Sequence, residues 1–441
     1  MRIILVGKAP PLQGGVASRT FNFALAATRS GHNVDLYTNS AEAGSTYRYE
    51  LCPDDQAYAA RGGNRLKIHN IALERRITHI PYSPCFETRL FGAAIEAAKD
   101  ADLVIGWYFQ PYGLVASDLA RILGKRCVLL HAGSDLGRLT KSPDLAAAYR
   151  YRFDTCDILT TSSVTRSILT DHMGFAHSRV HNIARGNVIP SYFRAPPKKL
   201  GLSELLVSAH PSLQGLEIEP MLRAKFLDES LAPLNDAITL AIYGKVGDSK
   251  GHFELIAALS ALADEGRQFN FLFCGGGHRA ALERALKKIA DHPALMRRTR
   301  FIPFVAPWRI PSLIRTADAV CFLERDFDIS FHGPMVPREV MLCGRALVLS
   351  DEIYAKQPFK EKLKHGETFF SASDPRNISG LRDVIRSIIS SPRDDLRNVG
   401  ERGRNIIRQY YDDSEFEDPV LLTLQRMGIL GSTSAIAGDK K

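Results

Sequence analysis

The nine residues Tyr243-Gly244-Lys245-Val246-Gly247-Asp248-Ser249-Lys250-Gly251 join two runs of different period. Before them, Ala237 to Tyr243 is short, apolar and partly β-branched, as in a buried strand. After them, His252 to Leu262 carries Leu255, Ile256, Leu259 and Leu262 at helical spacing. The stretch between is read as a glycine-bearing turn holding Lys245 and Lys250. A turn that opens a helix leaves backbone N–H groups unpaired at the positive end of the helix dipole, and an anion is stabilised there. With two ammonium groups beside it, the turn suits a diphosphate; an ordinary turn with solvated lysines is the alternative. It is not a Walker loop, because G-x-x-x-x-G-K-[ST] is absent.

The same rhythm runs outward in both directions. Downstream, Phe269 to Cys274, Thr299 to Phe301, Ala319 to Phe322, Ala346 to Ser350 and Thr368 to Phe370 are strand candidates, most of them separated by helical patterns. Upstream, Ile3 to Val6, Val34 to Tyr37, Leu103 to Ile105, Arg126 to Leu130, Ile158 to Thr160 and Val180 to Ile183 alternate with helical patterns, apart from a loop-rich section up to about Tyr82. Repeated β/α alternation predicts an α/β protein with two doubly wound, Rossmann-like domains and a site at the carboxyl ends of the strands. The predicted division is 1–190 and 237–412, joined by a linker or insertion over 191–236. A C-terminal helix over 413–431 is expected to pack back on the first domain, followed by a mobile tail over 432–441.

Bulk properties exclude several classes. A chain of 441 residues exceeds one ordinary core, and 45% apolar with 24% charged residues is a globular composition without a run long enough to cross a bilayer. Met1 leads into Ile3-Ile4-Leu5-Val6, read as a buried strand and not a leader, so a cytoplasmic protein is expected. Seven cysteines without C-x-x-C spacing read as reduced core thiols, with neither a disulfide framework nor a zinc site. The net charge of +9 is spread along the chain without aromatic-basic interleaving, which argues against nucleic acid. A phosphorylated donor or the anionic inner face of a membrane suits it better.

Several short elements then fall in a fixed order. Leu12-Gln13-Gly14-Gly15-Val16-Ala17 and Gly31-His32-Asn33-Val34 flank the first helix, His131-Ala132-Gly133-Ser134-Asp135 follows a strand, and Asp157-Ile158-Leu159-Thr160-Thr161-Ser162-Ser163 follows another. Ala184-Arg185-Gly186-Asn187-Val188-Ile189, Phe273-Cys274-Gly275-Gly276-Gly277, Thr316-Ala317-Asp318-Ala319 and His365-Gly366-Glu367-Thr368 complete the series. Together with Tyr243–Gly251, which resembles a G-R-L-x-x-x-K-G element, this series resembles glycosyltransferase family 4 of the GT-B fold. The resemblance implies two domains facing across a cleft, a nucleotide-diphosphate sugar as donor substrate, and a sugar transferred to a hydroxyl with retention. The acceptor it leaves open: a glycan, a lipid-linked saccharide or a small molecule. No cofactor and no metal are expected.

Residue by residue, the resemblance places Lys245 (where the family usually has arginine) and Lys250 on the diphosphate and His131 toward the donor sugar. Gly14, Gly15, Gly244, Gly275 and Gly277 would let the donor approach the backbone. Glu339 matches the second carboxylate of the family's E-x-F-G-x-x-x-x-E and would accept from the ribose hydroxyls. The first carboxylate is missing, since eight positions earlier stands Phe331. His332 is a candidate substitute, and Gly333, Met335 and Val336 offer backbone donors ahead of Glu339. Glu324, Asp326 and Asp328 are read as a solvated acidic loop, with the alternative that one folds back to replace the lost acid. A non-catalytic nucleotide-sugar binder and a GT-B epimerase are the competing functions.

Overall fold

The computed structural model describes residues 1–38, 48, 51, 53–71, 84–139, 141–183, 189–194, 205, 219–220, 224–226, 228, 234–327, 329, 331–411 and 418–431. The chain divides into two compact units: Met1–Gly44, Pro53–Val188 and Phe416–Lys441 form the first, Ser45–Cys52 and Ile189–Glu415 the second. Most of the 191–236 segment, all of 432–441 and the Ala184-to-Val188 part of one motif lie outside the described residues.

In the first unit, seven strands, β1 (Arg2–Gly7), β2 (Asn33–Thr38), β3 (Leu66–Asn70), β4 (Leu103–Trp107), β5 (Arg126–Leu130), β6 (Asp157–Thr160) and β7 (Val180–Asn182), lie in the order β3-β2-β1-β4-β5-β6-β7. All pairings are parallel. A parallel sheet is covered on both faces, which is why Ile3 to Val6 and Leu103 to Ile105 are continuous apolar runs and fully buried. Helices Gly15–Arg29, Pro84–Lys99 and Leu114–Leu123 come after β1, β3 and β4 in the chain, and each buries an apolar stripe. The C-terminal helix Pro419–Arg426 also belongs to this unit. Asp418 caps it by accepting from the N–H groups of Val420 (3.0 Å) and Leu421 (3.2 Å), while Val420, Leu421 and Leu424 join the core that contains Ile3 and Leu5.

One correction concerns the section read as loop-rich before Tyr82. It holds a helix, Pro53–Ala59, and the edge strand β3. Its sequence, Leu-Lys-Ile-His-Asn, is only half-buried, so it lacks the apolar run that marks the central strands.

In the second unit, β8 (Thr239–Val246), β9 (Asn270–Gly277), β10 (Thr299–Ile302), β11 (Ala319–Phe322), β12 (Ala346–Leu349) and β13 (Phe370–Ser371) lie in the order β10-β9-β8-β11-β12-β13, again all parallel. Phe271, Phe273 and Phe301 stack through its core. The order reverses between β1 and β4 in one sheet and between β8 and β11 in the other. Such reversal points open a crevice at the strands' carboxyl ends, where α/β sheets bind ligands. Five cysteines, Cys127, Cys156, Cys274, Cys321 and Cys343, are buried and unpaired; the side chains of Cys52 and Cys85 lie outside the described residues.

Candidate active site

The strand β8 runs three residues beyond the expected Tyr243, so Lys245 sits on the strand and not on the turn. Pairing with β9 holds it there: Gly244, Lys245 and Val246 register against Gly275, Gly276 and Gly277. Glycine at these places has a steric reason. A Cβ on Gly275 would come within 2.9 Å of Val246 Cγ2, and one on Gly277, at φ +104°, within 3.3 Å of Lys245 Cβ. At Gly244, φ is +131° and a Cβ would meet nothing within 4 Å, so the backbone there borders open space. Burial, with the charge of Lys250 second, brings the Lys245 ammonium down to about 8.

Lys250 follows on the 3-10 turn Asp248–Lys250 and reaches across the β8/β11 reversal to the carboxylate of Glu324, two residues past the end of β11. Here the acidic-loop reading is overturned: the Glu324 side chain is 1% exposed, because β11 and its neighbours enclose it. His332 approaches the other oxygen, Nε2 to Oε1, at 3.3 Å. Burial raises the Glu324 carboxyl, but the close approach of His332 and the charge of Lys250 outweigh it and hold the group below the usual carboxylate value. The Phe327 ring closes the cluster, 4.2 Å from Lys250 Nζ and 4.5 Å from the His332 ring. Asp326 is exposed and paired with Arg325 and Arg376, and Asp328 lies outside the described residues.

Glu339 lies on the helix Val336–Leu342, whose N-cap is Met335. Its Oε2 accepts from the Tyr243 hydroxyl at 2.7 Å, and the phenol, buried and beside a carboxylate, is pushed well above its ordinary value. A Cβ on Gly333 would have as nearest atom Arg338 Nη2 at 3.9 Å, and Arg338 is itself fixed by a 2.7 Å bond to the Tyr411 hydroxyl.

The first unit gathers a second set of groups at its own strand ends. Gly14 caps the helix Gly15–Arg29 at φ +109°, and a Cβ on Gly14 or Gly15 would face open space. His131, just after β5, is buried, with Nε2 2.8 Å from Thr160 Oγ1; burial lowers the imidazole to about 4, so it is neutral at pH 7. Asp135 ties two strand ends together, accepting from Phe109 N (2.8 Å) and Ala132 N (3.1 Å), and burial raises its carboxyl to about 7. The hydroxyls of Tyr108 and Ser134 bond beside it.

The family models agree with this arrangement. Residues 224–406 match "Glycosyl transferases group 1" and residues 13–186 match "Glycosyltransferase Family 4", so the two models meet the two units in turn. The chain is a GT-B glycosyltransferase resembling family 4. Its fold is similar to that of Anabaena HepE in complex with UDP-glucose (TM-score 0.63, 14% identity, 97% of this chain and 100% of that chain covered). Sucrose-phosphate synthase of Thermosynechococcus elongatus is similar over 98% and 100% of the two chains (0.59, 17%). WaaG, a glycosyltransferase involved in lipopolysaccharide biosynthesis, is similar over 98% and 100% (0.59, 14%). A comparison with curated proteins finds no match.

Within the glycosyltransferase, sequence reasoning brings Lys245, Lys250, His332 and the glycines to the strand ends of the second unit, and His131, Gly14 and Gly15 to those of the first. It misses Tyr243, Phe327 and Asp135 and misreads Glu324. For Tyr243 a signal existed: a tyrosine ending a buried strand needs a partner for its hydroxyl. No helix among the described residues is long and apolar enough to cross a membrane.

The depressed Lys245 leads to a pH prediction. A diphosphate bound at Lys245 would favour the ammonium, raise the lysine above about 8 and, near that pH, take up a proton. Affinity for a nucleoside diphosphate is therefore expected to be level below pH 7 and to fall above pH 8, by roughly up to tenfold per unit. Calorimetry in two buffers of different ionisation enthalpy checks it, and Lys245→Met should abolish the effect.

Proposed function

We propose that the enzyme transfers a hexose from a UDP-sugar to an acceptor hydroxyl, with retention of anomeric configuration and without a metal ion. The observation that carries this reading is the pair Lys245 and Lys250 at the β8/β11 reversal, with Lys250 held against buried Glu324. In this proposal the two ammonium groups meet the charge that grows on the departing diphosphate, the part Mg²⁺ plays elsewhere. Choice of UDP rests on the HepE complex with UDP-glucose. The leaving phosphate would take the acceptor's proton, so no protein nucleophile is assigned. His332, positioned by Glu324, would hydrogen-bond a sugar hydroxyl or phosphate oxygen in place of the family's first carboxylate. The neutral His131, engaged with Thr160, suits positioning and not proton transfer.

A panel of UDP-, GDP- and ADP-sugars, followed by product detection and by the anomeric coupling in NMR, tests the reaction. Turnover with a UDP-hexose, an α-product from an α-donor, and full activity in EDTA are expected. Loss with chelator and recovery with Mn²⁺ would overturn the metal-free part, and an inverted product the retaining part.

Glu339 is assigned to the ribose. Its Oε2 accepts from the Tyr243 hydroxyl, which fixes the carboxylate's plane at the start of the helix Val336–Leu342. Glu339→Gln is expected to weaken UDP by about 1.5–3 kcal/mol, the scale of a hydrogen bond to a charged group, with the melting temperature little changed. Titration of UDP into wild type and variant gives the answer, and equal affinity would contradict the assignment.

A further inference from the structure

The first unit contains a cavity of about 460 Å³ whose lining includes none of Gly14, Gly15, His131 and Asp135. Its floor is the edge strand β7, with Val180, His181 and Asn182; the helix Pro419–Arg426 forms one wall with Thr423, Arg426 and the following Met427. Positions 423, 426 and 427 share one helical face, so the wall is a consequence of the 3.6-residue period. Arg166, on the helix Ser163–Ser167, and the turn His177–Arg179 close the other side.

The lining is rich in donors and holds no carboxylate. Arg166 gives one N–H to the His177 carbonyl at 3.3 Å, which orients its guanidinium, and Arg426 enters no ion pair among the described residues. Two acids beside the lining residues are engaged by basic side chains. Asp157 takes Arg126 at 3.2 Å, Arg179 at 3.6 Å and His181 at 3.3 Å, while Asp171 lies 3.9 Å from His177. Two guanidiniums from separate elements and the Asn182 amide line the same cavity as the apolar Val180 and Met427, a donor set for a planar or tetrahedral oxyanion on a small organic body.

We propose that this cavity is a second binding site of the glycosyltransferase, for a phosphate monoester or diester, distinct from the diphosphate site at Lys245 and Lys250. The phosphate could belong to a free metabolite or to a lipid headgroup, and the test separates them. With UDP saturating, so that the two lysines are occupied, inorganic phosphate and a hexose phosphate are titrated calorimetrically into wild type and into the Arg166→Ala/Arg426→Ala variant. In parallel, both proteins are sedimented with phosphatidylcholine vesicles with and without phosphatidylglycerol.

Binding to wild type, weakened at least about tenfold in the variant while UDP affinity and melting temperature stay the same, is the expected result. Phosphate binding without vesicle binding assigns a free metabolite, and vesicle binding lost in the variant assigns a headgroup. Equal affinity of the two proteins for every probe, or no binding of any probe to wild type, overturns the proposal. A drop in both UDP affinity and melting temperature would call for the single variant Arg426→Lys, whose preserved charge but lost fork should weaken phosphate alone.

Discussion

Lys250→Ala is expected to lower kcat/KM by about 10²–10³, equivalent to roughly 2–4 kcal/mol of transition-state stabilisation. The side chain crosses the reversal between β8 and β11 and is fixed by Glu324 and the face of Phe327, so in the proposed reaction its charge would be pre-placed and need no reorganisation as the leaving group ionises. The substitution has a second effect. It leaves Glu324, whose side chain is 1% exposed, with His332 alone, and removing one member of a buried pair costs about 3–5 kcal/mol of stability.

Lys250→Ala/Glu324→Gln separates the two effects, because a neutral amide carries no unpaired charge. Its melting temperature should recover toward wild type while turnover stays low. Kinetics at saturating acceptor, with melting curves for both variants, decide; a single variant within threefold of wild-type turnover would remove Lys250 from the chemistry. Because the folded Glu324 carboxyl lies below its unfolded value, its stabilisation is present above that unfolded value and is lost as pH falls through the folded one. The melting temperature of wild type should thus fall more steeply on acidification than that of Glu324→Gln.

Gly251→Ala is the largest structural effect expected. Gly251 adopts φ +74°, and an added Cβ would lie 2.3 Å from Leu323 Cβ and 2.5 Å from the Leu323 carbonyl oxygen. Because one of these contacts is with backbone, no side-chain rotation relieves the overlap, and β11 or the turn after β8 must move. Left-handed strain of about 1–2 kcal/mol adds to overpacking of about 1–3 kcal/mol. Destabilisation of roughly 2–5 kcal/mol follows, along with displaced Lys250 and Glu324, the next residues on either side of the contact. Gly266→Ala provides the control: φ is +77° there, but a Cβ would meet nothing within 4 Å, so only the backbone strain remains. Denaturant unfolding of both variants isolates the close approach, and equal losses would show that it contributes nothing.

The sequence by itself determined the rhythm of both units, since apolar runs such as Ile3 to Val6 and Phe269 to Cys274 are continuous only where helices cover both faces of a parallel sheet. It also brought Lys250 to the opening of the helix His252–Asp264, because a local change of period marks that junction. Tertiary structure alone decided the fate of Glu324. Lys250 and Glu324 are 74 residues apart and become neighbours only when β11 pairs beside β8, and whether a carboxylate is solvated or enclosed depends on that pairing and not on the acidic residues around it in the chain. The same holds for Tyr243 and Glu339, 96 residues apart, and for Asp135 with Phe109. Periodicity is a property of consecutive residues and survives in the linear text, whereas the burial of a charge is set by which strands lie side by side.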